Sequence, residues 1–252
     1  MLIDTHTHLY FDKYDNDRDF VIKNLKDNGV EKAIVVGTDI ESCKKSIDLA
    51  EKYEYIYAAV GFHPTDLNGI TSDDIGELKS YLNHSKVVAI GEIGMDFYWD
   101  NVAKDKQKKF FVKQLELALN EDFPIIIHNR EADNAIMEVL REVNSKYKGV
   151  FHCYAGNLEM AEELIEMGFY LSFTGNITYK KSDRAEIIKE IPLNKILLET
   201  DSPFLTPVPY RGKRNEPKYV EYVARKIAEI KKISYDNVVE QTTESAIKLF
   251  GL

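Results

Sequence analysis

Short apolar runs rich in valine and isoleucine alternate along the chain with segments whose apolar residues recur at helical spacing. The runs are almost continuous, which is typical of parallel strands that are buried on both faces. Amphipathic helices between such strands cover the two faces of the sheet. Eight runs predict strands, and they are Leu2–His8, Lys32–Gly37, Ile56–Phe62, Val87–Ile93, Pro124–His128, Gly149–Cys153, Phe169–Phe173 and Lys195–Glu199.

The intervening segments carry capping and stop residues that predict helices. The predicted helices are Asp17–Asn28, one after Ser42, one after Ser72, Lys104–Asn120, one around Ile136–Val143, one between Asn157 and Gly168, Asp183–Glu190, Pro217–Lys231 and one between Ser234 and Gly251. Eight strand–helix units in 252 residues favour a single (β/α)8 barrel of the TIM type over residues 1–252, with an extra C-terminal helix. The alternative is an open doubly wound sheet, but its usual G-x-G-x-x-G loop is absent from the sequence.

Composition narrows the class of protein. The formal net charge is −9, which argues against a broad basic surface for tight duplex binding. Only two cysteines occur, Cys43 and Cys153, so a disulfide scaffold is not expected and a reducing compartment is favoured. No signal peptide and no apolar stretch of about 20 residues is visible. We therefore expect a soluble cytoplasmic protein without a membrane partner.

Imidazole and carboxylate groups recur where the predicted strands end. His6 and His8 end the first strand, and the remaining groups are His63 after the third, Glu92 in the fourth, His128 in the fifth, His152 in the sixth and Asp201 after the eighth. In a barrel these strand ends converge on the face that carries active sites. His84 precedes the fourth strand and is expected on the opposite face. Asp4 shares the strand face of His6 and His8, and it either supports the site or packs in the barrel.

A lone histidine at a strand end is more often a hydrogen-bonded packing residue than a ligand. The joint occurrence favours a metal site, because imidazoles and carboxylates without thiolates are typical of hydrolytic divalent ions. Six ligands are too many for one ion with an open position, so two ions are predicted. Their ligands are His6, His8, Glu92, His128, His152 and Asp201.

Closure of the predicted barrel also divides these ligands between the two ions. Strands one and eight are neighbours, so His6, His8 and Asp201 are expected to hold one ion. His128 and His152, on neighbouring strands, are expected to hold the other, with Glu92 bridging. Zinc, manganese or magnesium fits this set. A water between two cations is activated for attack, with Glu92 and Asp201 as catalytic groups and Asp201 able to act as general base.

With these motifs in place, the chain resembles the TatD family of metal-dependent deoxyribonucleases, over almost its whole length. The stretches that carry the resemblance are "DTHTHL", "AVGFHP", "AIGEIGMDFYWD", "PIIIHNREA", "FHCYAG" and "LLETDSPFLTPVPYRGKRNEP". The resemblance implies the same six metal ligands, and it implies that His63 and Arg211 contact substrate phosphate. It also implies removal of nucleotides from single-stranded 3′ ends. Ala155 and Ser245 depart from the family's usual serine and asparagine.

Basic and aromatic residues near the predicted site bear on the substrate. The segment after Asp201 contains Arg211, Lys213, Arg214 and Lys218, which could grip a nucleic-acid backbone or form a solvated loop. Arg211 is favoured, because arginine suits bidentate phosphate contact. Arg130 either contacts phosphate too or pairs with an acid such as Glu131. The run Phe97–Trp99 stacks a base or packs as a lid.

Three functions follow from these observations. The leading hypothesis is a two-metal hydrolase of DNA phosphodiester bonds, a 3′–5′ exonuclease with DNA as its partner. The alternative is a metal-dependent amidohydrolase or esterase acting on a small molecule, because the same ions polarise carbonyl groups. A non-catalytic metal-binding or assembly protein is the third.

Overall fold

Eight parallel strands follow one another around a barrel in chain order, as predicted. The computed structural model describes residues 1–143 and 147–252. The strands are β1 (Leu2–Thr7), β2 (Val30–Val36), β3 (Ile56–Val60), β4 (Val87–Asp96), β5 (Ile125–Arg130), β6 (Gly149–Phe151), β7 (Tyr170–Phe173) and β8 (Ile196–Leu198). The ring is completed by backbone bonds: the Asp201 N–H donates to the His6 carbonyl (2.9 Å) and the His8 N–H donates to the Ser202 carbonyl (2.7 Å).

Helices surround the barrel. The α-helices are α1 (Arg18–Lys23), α2 (Ile40–Lys52), α3 (Asp74–Tyr81), α4 (Lys104–Glu121), α5 (Asp133–Val143), α6 (Leu158–Glu166), α7 (Ala185–Glu190), α8 (Val220–Lys231) and α9 (Tyr235–Phe250). Asn157 caps α6 by accepting the Met160 N–H at 2.8 Å, and Ser234 caps α9. These caps confirm two of the predicted helix starts.

Several predicted helix boundaries were wrong. The helix predicted over Pro217–Lys231, for example, is a 3-10 turn over Pro217–Tyr219 followed by α8. The first helix is not continuous over Asp17–Asn28, because α1 ends at Lys23 and a separate 3-10 turn covers Lys26–Asn28 before Gly29. In this tighter turn the Asn28 N–H donates to the Leu25 carbonyl at 3.0 Å and the Gly29 N–H to the Lys26 carbonyl at 2.9 Å. The second helix begins at Ile40 rather than after Ser42. Asp39 is its N-cap and accepts the Ser42 N–H at 2.7 Å, so Ser42 belongs to the first turn as half of a capping box.

Apolar side chains fill the barrel interior and the layer between strands and helices. The interior cluster contains one or two residues from each strand, such as Ile34, Ala89 and Leu197. The C-terminal helix α9 adds Leu249 and Phe250 to the same cluster, so it closes the end of the barrel where the strands begin. With that end filled by apolar groups, the polar side chains collect at the opposite mouth.

Candidate metal centre

The seven polar residues predicted at strand ends lie together at the mouth where the strands end. His6 lies in β1, Glu92 in β4 and His128 in β5, while His8, His63, His152 and Asp201 follow strands β1, β3, β6 and β8 within three residues. Glu92 is 3% exposed and His6 is fully buried. These side chains therefore converge in the structure as predicted.

Glu92 stands between two groups of imidazoles and directs one carboxylate oxygen to each. Its Oε2 lies 3.4 Å from His6 Nε2 and 3.9 Å from His8 Nε2. Its Oε1 lies 2.7 Å from His128 Nδ1 and 2.9 Å from His152 Nε2. A carboxylate so arranged can serve two cations at once.

The first group gathers around His6 and His8. Their Nε2 atoms are 3.1 Å apart, and Asp201 Oδ1 lies 3.8 Å from the first and 3.4 Å from the second. Metal bonds of about 2.0–2.1 Å in a tetrahedron place ligand atoms about 3.3 Å from one another. The spacing of these nitrogen and oxygen atoms therefore fits a shared divalent ion.

The second group gathers around His128 and His152, whose Nδ1 and Nε2 atoms are 3.4 Å apart. His63 belongs to this group as well, because its Nε2 lies 3.5 Å from Glu92 Oε1 and its ring is 4.3 Å from that of His128. The two groups overlap at His152, whose ring stacks on that of His6 at 4.1 Å. The predicted division of ligands is thus less sharp in the structure than in the sequence.

The backbone of β4 is shaped to bring Glu92 against β5. Gly94 has φ +144°, a conformation that L side chains rarely adopt, and a Cβ there would lie 1.9 Å from the carbonyl oxygen of His128. Only glycine permits this approach. Beyond it, β4 continues to Asp96 instead of ending at Ile93 as predicted.

Two buried carboxylates that sequence reasoning missed lie beside the outer nitrogens of the imidazoles, one within hydrogen-bond distance and the other within ion-pair distance. Asp96 Oδ2 lies 2.9 Å from His128 Nε2, and Glu199 Oε1 lies 3.3 Å from His152 Nδ1. A carboxylate behind a ligating histidine fixes the ring and its tautomer. A signal existed, because Asp96 is four residues after Glu92 and Glu199 is two residues before Asp201, spacings that repeat a strand's period of two.

Asp4 supports the site through the backbone. Its carboxylate accepts the N–H of Thr200 at 2.9 Å, the hydroxyl of Thr200 at 2.6 Å and the N–H of His6 at 3.3 Å. It therefore ties β1 to the segment after β8. Burial raises its pKa well above the ordinary value.

The protonation of the cluster follows from burial and neighbouring charge. Burial raises the pKa of Glu92, but the charges of His152, His63 and His6 outweigh it and hold that pKa well below the ordinary value. Burial likewise opposes ionisation of Asp201, and the contact with His8 lowers its pKa overall. Both carboxylates are therefore anionic at neutral pH, as metal ligands must be.

The pKa values of two of the imidazoles are shifted in opposite directions. Burial and the nearby His152 lower the pKa of His6. Burial acts in the same direction on His152, but the charges of Glu92 and Glu199 raise its pKa well above the ordinary value. An imidazole must lose its extra proton to bind a cation, so a cation bound at His152 would displace that proton.

Two arginines flank the mouth, each stacked on an aromatic ring. The Arg130 guanidinium carbon lies 3.7 Å from the centre of the Tyr98 ring, and that of Arg211 lies 4.3 Å from the Tyr179 ring. Neither arginine has an ion pair within residues 1–143 and 147–252, so Arg130 is not paired with Glu131.

Two other cations that were considered as phosphate contacts, Arg214 and Lys218, are paired with carboxylates. Arg214 makes a bidentate pair with Asp17, with both bonds at 2.7 Å, and also contacts Glu216 at 3.1 Å. Lys218 pairs with Glu216 at 2.7 Å. Arg214 therefore fastens the loop after β8 to the start of α1, whereas Lys218 pairs within its own segment. Both arrangements differ from the suggested grip on a nucleic-acid backbone.

The remaining sequence features lie at different distances from the site. Ala155 is exposed beside the mouth, whereas Ser245 lies in α9 and donates to the Asn194 carbonyl at 3.0 Å, at the far end of the barrel. Of the aromatic run, Tyr98 and Trp99 are about half exposed. His84 pairs with Glu51 at 2.9 Å, away from the cluster.

Comparison with known proteins agrees with this geometry. The sequence profile described as "TatD related DNase" matches residues 3–251. The chain belongs to this TatD-related family. It is 46% identical over 254 residues to the uncharacterized metal-dependent hydrolase YabD of Bacillus subtilis, with all of both chains covered. It is 33% identical to the uncharacterized metal-dependent hydrolase TatD of Mycobacterium tuberculosis, covering all of this chain and 98% of that one.

Solved structures of TatD relatives share the fold. The TatD homologue YjjV of Escherichia coli superposes with a TM-score of 0.93 at 31% identity, covering all of this chain and 98% of that one. An organophosphorus hydrolase of Deinococcus radiodurans has a TM-score of 0.70 at 14% identity, with 99% of this chain and 92% of that one covered, and shows the fold alone. The predicted TIM-type barrel and the predicted class, a metal-dependent hydrolase that acts on ester bonds, are confirmed. No helix within the described part of this TatD-family chain is long and apolar enough to cross a membrane.

Proposed function

We propose that residues 1–252 form one catalytic domain that hydrolyses the phosphodiester bonds of DNA, as a 3′–5′ exonuclease on single-stranded ends. The observation that carries the proposal is Glu92, whose two oxygens address separate imidazole groups. The family description as DNases supports the choice of substrate.

In this proposal the site holds two divalent ions, of zinc, manganese or magnesium. His6, His8 and Asp201 would hold one ion and His128 and His152 the other, with Glu92 shared between them. Bound ions of this kind lower the pKa of a water and neutralise the charge of a phosphate. The chain itself orients the ligands, since Asp96 hydrogen-bonds the outer nitrogen of His128 and the Glu199 carboxylate lies beside that of His152.

Asp201 is proposed as the group that accepts a proton during hydrolysis. It is partly exposed, with 15% of its side chain accessible, whereas Glu92 is almost completely enclosed. Its pKa is lowered by its contact with His8, so it is available as a base at neutral pH. Glu92 is the second proposed catalytic group, through its hold on both ligand groups.

Three cationic or imidazole groups around the mouth are proposed to bind phosphate. His63 faces the same carboxylate oxygen as His128, at 3.5 Å. Arg211 and Arg130 are exposed, lack an acidic partner among the described residues and are held by stacking on Tyr179 and Tyr98. A guanidinium free of acids and fixed in orientation suits the two oxygens of a phosphate.

The test is cleavage of single-stranded oligonucleotides labelled at either the 5′ or the 3′ end, after each ion is added to metal-free protein. A 3′–5′ exonuclease shortens the 5′-labelled strand stepwise and releases the 3′ label at once. Asp201→Asn is expected to lower the rate by about 10²–10⁴-fold. Glu92→Gln is expected to lose metal and activity together.

Glu51→Gln is the matched control, because Glu51 contacts His84 away from the cluster. Cleavage of amide or carboxylic ester substrates without any phosphodiester cleavage would favour the small-molecule alternative. Full biological output from Glu92→Ala would favour a non-catalytic protein.

We also propose a cytoplasmic location. Cys43 and Cys153 are both free thiols, which agrees with a reducing compartment. Fractionation of cells that express the tagged chain tests this.

A further inference from the structure

A cleft of about 650 Å³ opens beside the metal centre, between the segments that follow β6, β7 and β8. Tyr154 forms one wall and is only two residues after the predicted ligand His152. Asn176 forms part of the floor, and its side-chain amide contacts Cys153 Sγ at 3.5 Å. The cleft therefore begins within a few residues of the site and leads away from it.

The charge of the cleft is opposite to that of the whole chain. Four cationic side chains line it, namely Lys180, Lys181, Arg184 and Arg211, against a single carboxylate, Asp183. The complete sequence carries a formal charge of −9, so this concentration of positive charge is local. A lining of this kind attracts anions.

Most of these cations are not neutralised. Arg184 is engaged by Asp183 at 2.8 Å and by the Gly156 carbonyl at 2.6 Å. Lys180 and Lys181 are exposed, and neither has an ion pair or a hydrogen bond within the described residues. Two adjacent lysines are thus available to an anionic ligand.

An aromatic ring completes the surface. Tyr179 is fixed by its hydroxyl, which donates to the Thr206 carbonyl at 3.0 Å, and it carries the guanidinium of Arg211 on its face. A cationic groove with an aromatic ring is the combination that binds single-stranded nucleic acid. A small neutral ester or amide carries no charge that could pair with these cations.

We propose that this cleft binds single-stranded DNA beyond the scissile bond, with Lys180 and Lys181 neutralising consecutive phosphates of the chain. The inference rests on the proposed function and extends it, because it assigns the strand a path across the segments after β6, β7 and β8. The enzyme then holds a chain rather than a single nucleotide.

The first test measures binding, which does not require cleavage. Fluorescence anisotropy of a labelled oligothymidylate with metal-loaded protein is recorded over a range of salt concentrations. The double variant Lys180→Gln with Lys181→Gln is expected to bind more weakly, and its slope of log affinity against log salt is expected to be shallower by about 1.4. This value assumes two lost phosphate contacts of about 0.7 each on a single strand.

The matched control is Lys23→Gln with Lys248→Gln, which removes the same charge elsewhere. Lys23 ends α1 and Lys248 lies in α9, and both are exposed without an ion pair in the described part of the chain. This control is expected to keep the slope of the wild-type protein. Equal slopes for the two double variants, or no binding of oligothymidylate by the wild-type protein, would overturn the inference.

A second measurement separates this inference from the proposed function. Bis(p-nitrophenyl) phosphate carries a single phosphate and so offers no further phosphate to Lys180 and Lys181, and both double variants are therefore expected to hydrolyse it at the wild-type rate. That result also shows that the variants are folded. Cleft-dependent binding of DNA by a protein that hydrolyses no phosphodiester would refute the proposed function and leave the cleft assignment standing.

Discussion

Replacing Glu199 by glutamine tests whether the carboxylates behind the imidazoles control metal affinity. Glu199 is 1% exposed, and its Oε1 accepts the Cys153 N–H at 2.6 Å while lying 3.3 Å from His152 Nδ1. Its Oε2 accepts the Ser172 hydroxyl at 2.6 Å. Glutamine keeps the size and one acceptor oxygen, so the substitution removes mainly the negative charge that orients His152.

Loss of such a partner usually weakens metal affinity by about 10–100-fold. Because glutamine retains an acceptor, we expect the lower end of this range, about tenfold or about 1.4 kcal/mol. The change should weaken chiefly the ion held by His152, since His6 and His8 have no contact with Glu199 among the described residues.

The assay is competition between protein and a chelator, with metal content measured for each sample. Ser172→Ala is the matched control, because it removes a hydrogen bond from Glu199 but leaves the charge, and it should change affinity less. If Glu199→Gln binds both ions as tightly as the wild-type protein, the assigned role of the carboxylate is wrong.

Three further substitutions or treatments have definite expected results. Gly94→Ala should lower the free energy of unfolding by about 2–6 kcal/mol, because of backbone strain and the clash with the His128 carbonyl. The control is Gly76→Ala, which should not lower the melting temperature because no atom lies within 4 Å of an added Cβ there. His63→Ala should keep two ions per chain and raise KM for oligonucleotides, and loss of an ion would instead make His63 a ligand. Burial raises the pKa of the Cys43 thiol to about 12, so iodoacetamide at pH 8 should label this thiol in urea but not in the folded protein. Labelling of the folded protein at the rate of a free thiol would contradict the burial of Cys43.

The barrel and the convergence of the polar residues were predictable for a simple reason. Parallel strands buried on both faces leave a clear apolar pattern, and every strand of a barrel ends at the same mouth. The approximate position of an imidazole or acid just after such a run, such as His152 or Asp201, therefore follows from the apolar pattern alone.

The supporting carboxylates, Asp96 and Glu199, were harder to predict because their positions relative to the imidazoles depend on where the strands end. Asp96 was outside the predicted fourth strand, which continues for three residues after Ile93. Its role also requires the close approach at Gly94, which is a property of two strands and not of one segment. Glu199 was included as a strand end but looked like an ordinary acid without the distance to His152.

The helix boundaries failed for local reasons. Apolar spacing alone could not show that α1 ends at Lys23 and gives way to a 3-10 turn, because both conformations bury similar positions. The start of α2 was predicted too late because Ser42 was placed before the helix, whereas Asp39 is the N-cap and Ser42 completes its capping box.

The backbone seam between His6 and Asp201 has a consequence for synthesis of the chain. The two residues are joined by a hydrogen bond but stand far apart in the sequence, so a nascent polypeptide that has emerged only through β7 lacks Asp201, one ligand of the proposed cation site. Any fragment truncated before Asp201 likewise lacks it. With the proposed ligands, tight uptake of metal would distinguish chains that extend past Asp201 from chains that terminate before it.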